Sequence, residues 1–234
     1  MKYIENEHYF NVIDSPSKAY ILGFIAADGS LVKSSTGNTY YLTITIKYED
    51  RAVLNFIQKE LKSNYKLLEI RKISYGKRVH HIRLQFSNKF ITNDLMKYGI
   101  LPRKSLTMTN IIENIPIEYR DAFIIGYFDG DGSVSFVSNS VNNKSMHIQI
   151  RGTRDFLSGI CNHLNIPTTY IYQHDSIPQL SITHMKYIVR FFECYQHLQF
   201  YYIRKHNKFL ERINEPSYAK YKQVQTISSP IENL

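Results

Sequence analysis

Ala19-Tyr20-Ile21-Leu22-Gly23-Phe24-Ile25-Ala26-Ala27-Asp28-Gly29-Ser30 and Ala122-Phe123-Ile124-Ile125-Gly126-Tyr127-Phe128-Asp129-Gly130-Asp131-Gly132-Ser133 are one pattern written twice. Each is an apolar run of about ten residues, too short to span a membrane, closed by Asp-Gly-Ser. The runs are apolar on nearly every side, which predicts buried helices rather than amphipathic surface ones. Small residues recur four apart, Gly23 with Ala27 and Gly126 with Gly130, and residues at i and i+4 share one helix face. Such a face lets two backbones approach closely, so these four positions are the predicted seam between two paired helices. Gly29 and Gly132 suit left-handed helix ends.

This pairing places Asp28 and Asp131 in the last turn of each helix. An acid there meets the negative end of the helix dipole, at a cost of roughly 0.3–1 kcal/mol each, and two such acids side by side repel. A compensating cation is expected, and hard oxygen ligands suit Mg²⁺. A metal between two acids serves phosphate-ester hydrolysis. One apolar run before Asp-Gly is commonly just a core helix entering a turn; two matched copies are not.

Outward from the motifs, the two parts of the chain keep step. Asp131 follows Asp28 by 103 positions, Arg151 follows Lys47 by 104, and Arg204 follows Arg103 by 101. An offset that barely drifts marks a duplication. Ser15-Pro16 reads as N-cap and first helical residue. Tyr40 to Lys47 alternates apolar and polar residues, as do His80 to Phe86 and Met146 to Arg151, which predicts half-buried strands. Further strands are expected at 31–33, 67–73, 134–137, 169–173 and 179–183, and helices at 51–61, 89–98, 153–164, 185–195 and up to about 213. Residues 107–115 read as a linker, with Pro116 opening the second motif helix. Each half then reads helix, two strands, helix, two strands, helix. The class is α+β, with antiparallel sheets. The expected divisions are 1–112, 113–214 and a polar tail at 215–234.

The formal net charge of +9 favours a polyanionic partner. Cys161 and Cys194 form no disulfide or zinc pattern. No signal peptide or transmembrane run is read, and the acidic opening disfavours a transit peptide, so the expected setting is intracellular: bacterial or phage cytoplasm, or an organelle matrix. The outward strand residues are mostly donors of the kind that contact base edges and phosphates. In the first half they are Lys33, Tyr41, Thr43, Thr45, Lys47, Arg71, His81, Arg83 and Gln85. In the second they are His147, Gln149, Arg151, Gln173, Gln179, Ser181 and Thr183.

Ile21 to Gly29 and Ile124 to Gly132 resemble the motif of the LAGLIDADG homing endonucleases, in the single-chain, two-motif form. The resemblance covers roughly residues 15–213. It implies two pseudo-symmetric αββαββα halves, motif helices at the interface, and sheets forming a saddle over double-stranded DNA. It further implies that Asp28 and Asp131 share two or three Mg²⁺ ions, with the Ala27 and Gly130 carbonyls as further ligands. Each acid would then act on one strand. Lys47 and Arg151 match the basic strand-end position near the metals, although Arg hardly ever gives up its proton. Ala26 departs from the acid of the name pattern.

The expected activity is a Mg²⁺-dependent, site-specific double-strand break by a monomer, in the service of intron homing. Two other readings stand beside it: a group I intron RNA-splicing maturase, with intron RNA as partner, and a non-cleaving DNA-binding regulator. Scattered histidines disfavour an HNH nuclease. The absence of a Cys or Ser start disfavours an intein.

Overall fold

The structure is a computed structural model that describes residues 3–35, 39–74, 76–140 and 143–213. The first half runs α1 (Pro16–Asp28), β1 (Gly29–Lys33), β2 (Tyr40–Lys47), α2 (Ala52–Glu60), β3 (Leu68–Ser74), β4 (Lys77–Ser87) and α3 (Lys89–Lys97). The second runs α4 (Arg120–Asp131), β5 (Gly132–Ser140), β6 (Asn143–Arg151), α5 (Arg154–Leu164), β7 (Ile171–His174), β8 (Ile177–Ile182) and α6 (Met185–Glu193). An additional helix, α7 (Ile203–Ile213), follows. The two sheets are antiparallel with the same strand order, β1-β2-β4-β3 and β5-β6-β8-β7. The expected tail at 215–234 and parts of the turns at 36–38, 75 and 141–142 lie outside the described residues.

Local chemistry starts the elements where the sequence says. The Lys18 amide donates to the Ser15 hydroxyl at 3.3 Å, and Pro16 is the first residue of α1. Asn88 and Thr153 cap α3 and α5 in the same manner, each satisfying an otherwise orphaned helical N–H. The second motif helix does not open at Pro116. Pro116 takes an extended ψ of 138° and leads into a 3-10 turn at Ile117–Tyr119, so α4 begins at Arg120. The linker is not solvated: Met108, Ile111, Ile112 and Ile115 are buried in the common core.

α1 and α4 pack against each other as the seam. The fit is backbone to backbone. A Cβ placed on Gly23 would fall on the Phe123 carbonyl, and one on Gly126 would fall on the Tyr20 carbonyl. The two contacts are the same contact seen from each helix, a two-fold relation within one chain. Nearer the acids, a Cβ on Gly130 would collide with the Ala27 methyl and lie 3.4 Å from Asp28 Oδ2.

The glycines that end the motif helices do something other than expected. Gly29 has φ −76° and ψ 147°, and Gly132 φ −93° and ψ 161°. Both are extended, not left-handed, because each is already the first residue of a strand. Their lack of a side chain is spatial. A Cβ on Gly29 would press on the Ile25 carbonyl, and one on Gly132 on the Phe128 ring. The chain turns from helix to strand within one residue, leaving no room for a methyl.

Among the described residues no helix is long and apolar enough to cross a membrane.

Candidate functional site

Asp28 and Asp131 stand at the C-terminal ends of α1 and α4. Burial raises the Asp28 carboxyl to about 6, and the nearby Asp131 charge pushes the same way, while Lys205 and Lys104 oppose it. Asp131 is raised as well, chiefly by burial, with Lys104, Lys205 and Arg151 drawing it back. Both carboxyls are raised chiefly by burial, Asp28 further by the Asp131 charge beside it, and each prefers its proton unless positive charge is supplied.

The protein itself supplies part of that charge. Lys104 Nζ donates to the Ala27 carbonyl at 2.9 Å. Lys205 Nζ donates to the carbonyls of Phe128, Asp129 and Gly132 at 2.6, 2.8 and 2.7 Å. Both lysines are buried, 7% and 5% exposed, which is rare for lysine without such partners. Each ammonium sits on orphan carbonyls at the negative end of a motif helix, where a cation is favoured. Burial lowers both lysines, Lys205 to about 8, while neighbouring acids hold their charge up.

These two lysines are candidate site residues missing from the sequence reading. Their signal was present: Arg103-Lys104 and Arg204-Lys205 repeat at the same offset of 101. What the pattern could not show is that a residue 77 positions from Ala27 folds back to its carbonyl. The two come from unlike structures, a 3-10 turn at Lys104–Leu106 and the first turn of α7.

A cavity of about 280 Å³ opens beside Asp28, lined by Thr45, Lys47, Asp50, His81, Gly130, Tyr202 and Arg204 among others. Lys47, the last residue of β2, therefore borders the first acid. Arg204 closes the same cavity across the two halves with a bidentate pair to Asp50, both contacts 2.9 Å. Arg151 lies beside Asp131, close enough to lower it. Its guanidinium also meets Gln179 Oε1 at 3.5 Å and His174 Nδ1 at 3.3 Å.

Magnesium is the ion that the motif resemblance implies. Two carboxylates raised by burial, next to backbone carbonyls, form a hard-oxygen donor set that fits it. The Gly130 carbonyl directly precedes Asp131 as that of Ala27 precedes Asp28, and the Ala27 carbonyl is already shared with Lys104. Among the described residues there is no group of three or more His, Cys, Asp or Glu side chains gathered for a metal. The set would thus be completed by carbonyls and water.

Strand register sorts the expected nucleic-acid contacts into faces. Thr43 pairs with Gln85, Thr45 with Arg83 and Lys47 with His81, while Leu42, Ile44, Ile46, Ile82, Leu84 and Phe86 are buried opposite. Tyr41 shares the outward face. In the second half Gln149 pairs with Ser181 and Arg151 with Gln179, and His147 lies on the same side. Gln179 is mostly buried there. Thr183 is exposed just past β8. Arg83 is steadied by its Nε bond to the Thr45 hydroxyl, 2.9 Å.

Three expected contacts fall on the wrong side. Lys33 pairs with Tyr40, which shares the inward parity of Leu42. Arg71 pairs with His80, in step with Ile82, and bonds to Glu69 at 3.0 Å. Gln173 pairs with Pro178, in step with Leu180. The cause is common to all three: β1, β3 and β7 are edge strands, and at Lys33, Arg71 and Gln173 the inward side is itself exposed, so polarity no longer reports direction there. In their place the outward face carries Ser30, Val32, Leu68, Ile70, Lys72, Ser133, Ser135 and Tyr172.

Residues 118–194 match the family model of the LAGLIDADG-like domain. No curated protein matches the chain. Among solved structures, the homing endonuclease I-WcaI bound to its DNA recognition sequence superposes with a TM-score of 0.56 at 16% identity, over 91% of this chain and 87% of that one. Meganuclease I-SmaMI bound to uncleaveable DNA gives 0.53 at 14% identity, over 86% and 88%. LAGLIDADG meganuclease I-AabMI bound to uncleaved DNA gives 0.53 at 14%, over 77% and 83%. With a matched motif on each seam helix and the same strand order in each half, the chain is a single-chain, two-motif protein of the LAGLIDADG fold, its second motif lying within a LAGLIDADG-like domain.

Proposed function

We propose that this protein is a site-specific DNA endonuclease that hydrolyses one phosphodiester on each strand of a long target, with Mg²⁺. The observation that carries the reading is the pair of carboxylates at the seam, Asp28 and Asp131, flanked by two buried lysines. It gains support from the outward sheet faces, which present Lys47, His81, Arg83, His147, Gln149 and Arg151 to one side.

In this mechanism Asp28 and Asp131, with the Ala27 and Gly130 carbonyls, would hold the cations. Bound divalent ions supply water activation and neutralise the leaving oxygen. Lys104 and Lys205 place fixed positive charge where the phosphate becomes more negative. A preorganised charge in a buried setting is worth far more than one in water. Lys47 and Arg151, at the strand ends, flank the same region and neutralise the backbone on either side. The sheet faces bind phosphates through Lys and Arg and contact base edges in the major groove.

The test uses Asp28→Asn and Asp131→Asn separately, on a plasmid target selected from a randomised library. Each variant should keep binding and lose double-strand cleavage, giving at most a nick. Full cutting by both would refute the assignment. Wild-type protein that binds but never cuts with Mg²⁺ would favour the regulator; preference for folded intron RNA would favour the maturase.

A further inference from the structure

Asp129 is the third acid of the seam and has no part in the scheme above. It is 1% exposed, inside a helix that is otherwise buried through apolar residues. Its Oδ2 accepts two hydrogen bonds, from the Tyr20 hydroxyl of α1 and from the Tyr202 backbone amide, both 2.8 Å. Tyr202 stands three residues before Lys205 and immediately before α7. Asp129 also gives its carbonyl to the Lys205 ammonium. One residue thus fixes both ends of the segment that carries Lys205 into the site.

The first half does without this arrangement. At the matching places stand Ala26 for Asp129, Phe123 for Tyr20, and Leu101 for Tyr202. Leu101 is 48% exposed where Tyr202 is 6%. Lys104 has one carbonyl partner where Lys205 has three. The fold therefore accepts alanine at the equivalent point. Burying a carboxylate costs several kcal/mol unless it is compensated, so its presence in one half needs a reason that is not the fold.

We infer that Asp129 is a positioning residue for Lys205, and that through it the two DNA strands are placed under separate control. The inference rests on the endonuclease reading. Asp129 is 1% exposed, and its Oδ2 is taken by Tyr20 and Tyr202. It holds the Tyr202–Lys205 segment against the end of α4, so that the ammonium meets the phosphate served by that half. The strand served through Lys104 has no such brace.

The experiment is strand-resolved single-turnover cleavage of a duplex labelled differently on each strand. Lys104→Met and Lys205→Met first identify which strand each lysine serves. Asp129→Asn should slow the strand that Lys205→Met slows by about tenfold or more, with the other strand and DNA affinity within about twofold, since misplacing a group lowers the chemical step rather than binding. Equal slowing of both strands, or of neither, would overturn the inference, since a general loss of packing has no strand preference. Should Asp129→Asn fail to bind DNA, Tyr20→Phe decides. It removes one of the two bonds, and a bias toward the same strand supports the role, while no bias overturns it. Wild-type protein that binds its selected DNA yet cuts neither strand would defeat the endonuclease reading itself and this inference with it. Normal cutting with no strand bias in the variants defeats this inference alone.

Discussion

Lys104 and Lys205 each reach the end of a different motif helix, one position out of step: Lys104 Nζ is 2.9 Å from the carbonyl of Ala27, the counterpart of Gly130, and Lys205 Nζ is 2.8 Å from that of Asp129, one residue earlier. The acids at those helix ends call for positive charge, and the fold itself provides part of it. Lys104→Met and Lys205→Met should each lower cleavage by about 100-fold on one strand, in line with the loss of one preorganised group. Target affinity should fall less than about threefold on the same reasoning. Nicked product from each variant, resolved on a denaturing gel, checks this.

The seam offers a test of stability. Gly23→Ala and Gly126→Ala each drive a methyl into a carbonyl of the facing helix. Overpacking of this kind costs about 1–3 kcal/mol, more when backbone must move. For a chain of this size that lowers Tm by roughly 2–12 °C. Thermal unfolding followed by circular dichroism measures it, and an unchanged Tm would mean that the helices do not meet at these glycines.

Face assignment separates two arginines that composition treats alike. Arg83 lies outward beside Thr45, while Arg71 lies on the opposite face with Glu69. Arg83→Ala should weaken target binding by about 5- to 150-fold, the range for losing a good base or phosphate contact. Arg71→Ala should leave it within about twofold, because an exposed ion pair contributes little. Fluorescence anisotropy at fixed salt distinguishes them.

Acid stability should trace to Asp121, at the start of α4. Burial would raise this carboxyl, but bonds from His163 and Arg190 prevail and hold it at about 2. His163 Nε2 lies 2.7 Å away and Arg190 Nη2 3.0 Å. A depressed carboxyl stabilises the fold above its unfolded value of 3.8, and that contribution disappears as pH falls toward 2. Asp121→Asn should cost about 1–2 kcal/mol at pH 7, discounted for the solvent that reaches the pair. The gap from wild type should narrow between about pH 4 and pH 2, which urea titrations across that range would show.

Most of the architecture could be read from the chain because two kinds of pattern are local. Tyr40–Lys47 alternates without a break, and the strand has those bounds. Ser15-Pro16 states its own helix start. What failed is equally physical. Arg71, Lys33 and Gln173 sit at points of edge strands where the inward side is exposed too, so polarity carries no sign there. Gly29 and Gly132 were chosen by crowding from Ile25 and Phe128, a contact that composition cannot display. Lys104 and Lys205 act across 77 and 76 residues, a distance over which no periodicity reports. Asp28 and Asp131 were legible because the same sentence appears twice.

The meeting of Gly23 with the Phe123 carbonyl, and of Gly126 with that of Tyr20, has a consequence for how such a molecule can change. The joint is peptide against peptide, so it is blind to which side chains the outer strands carry. Recognition faces can be rewritten residue by residue without disturbing the hinge line that keeps both acids in register. The only thing the joint refuses is bulk. A half borrowed from a cousin would dock, provided it brought a bare α-carbon to the same two places.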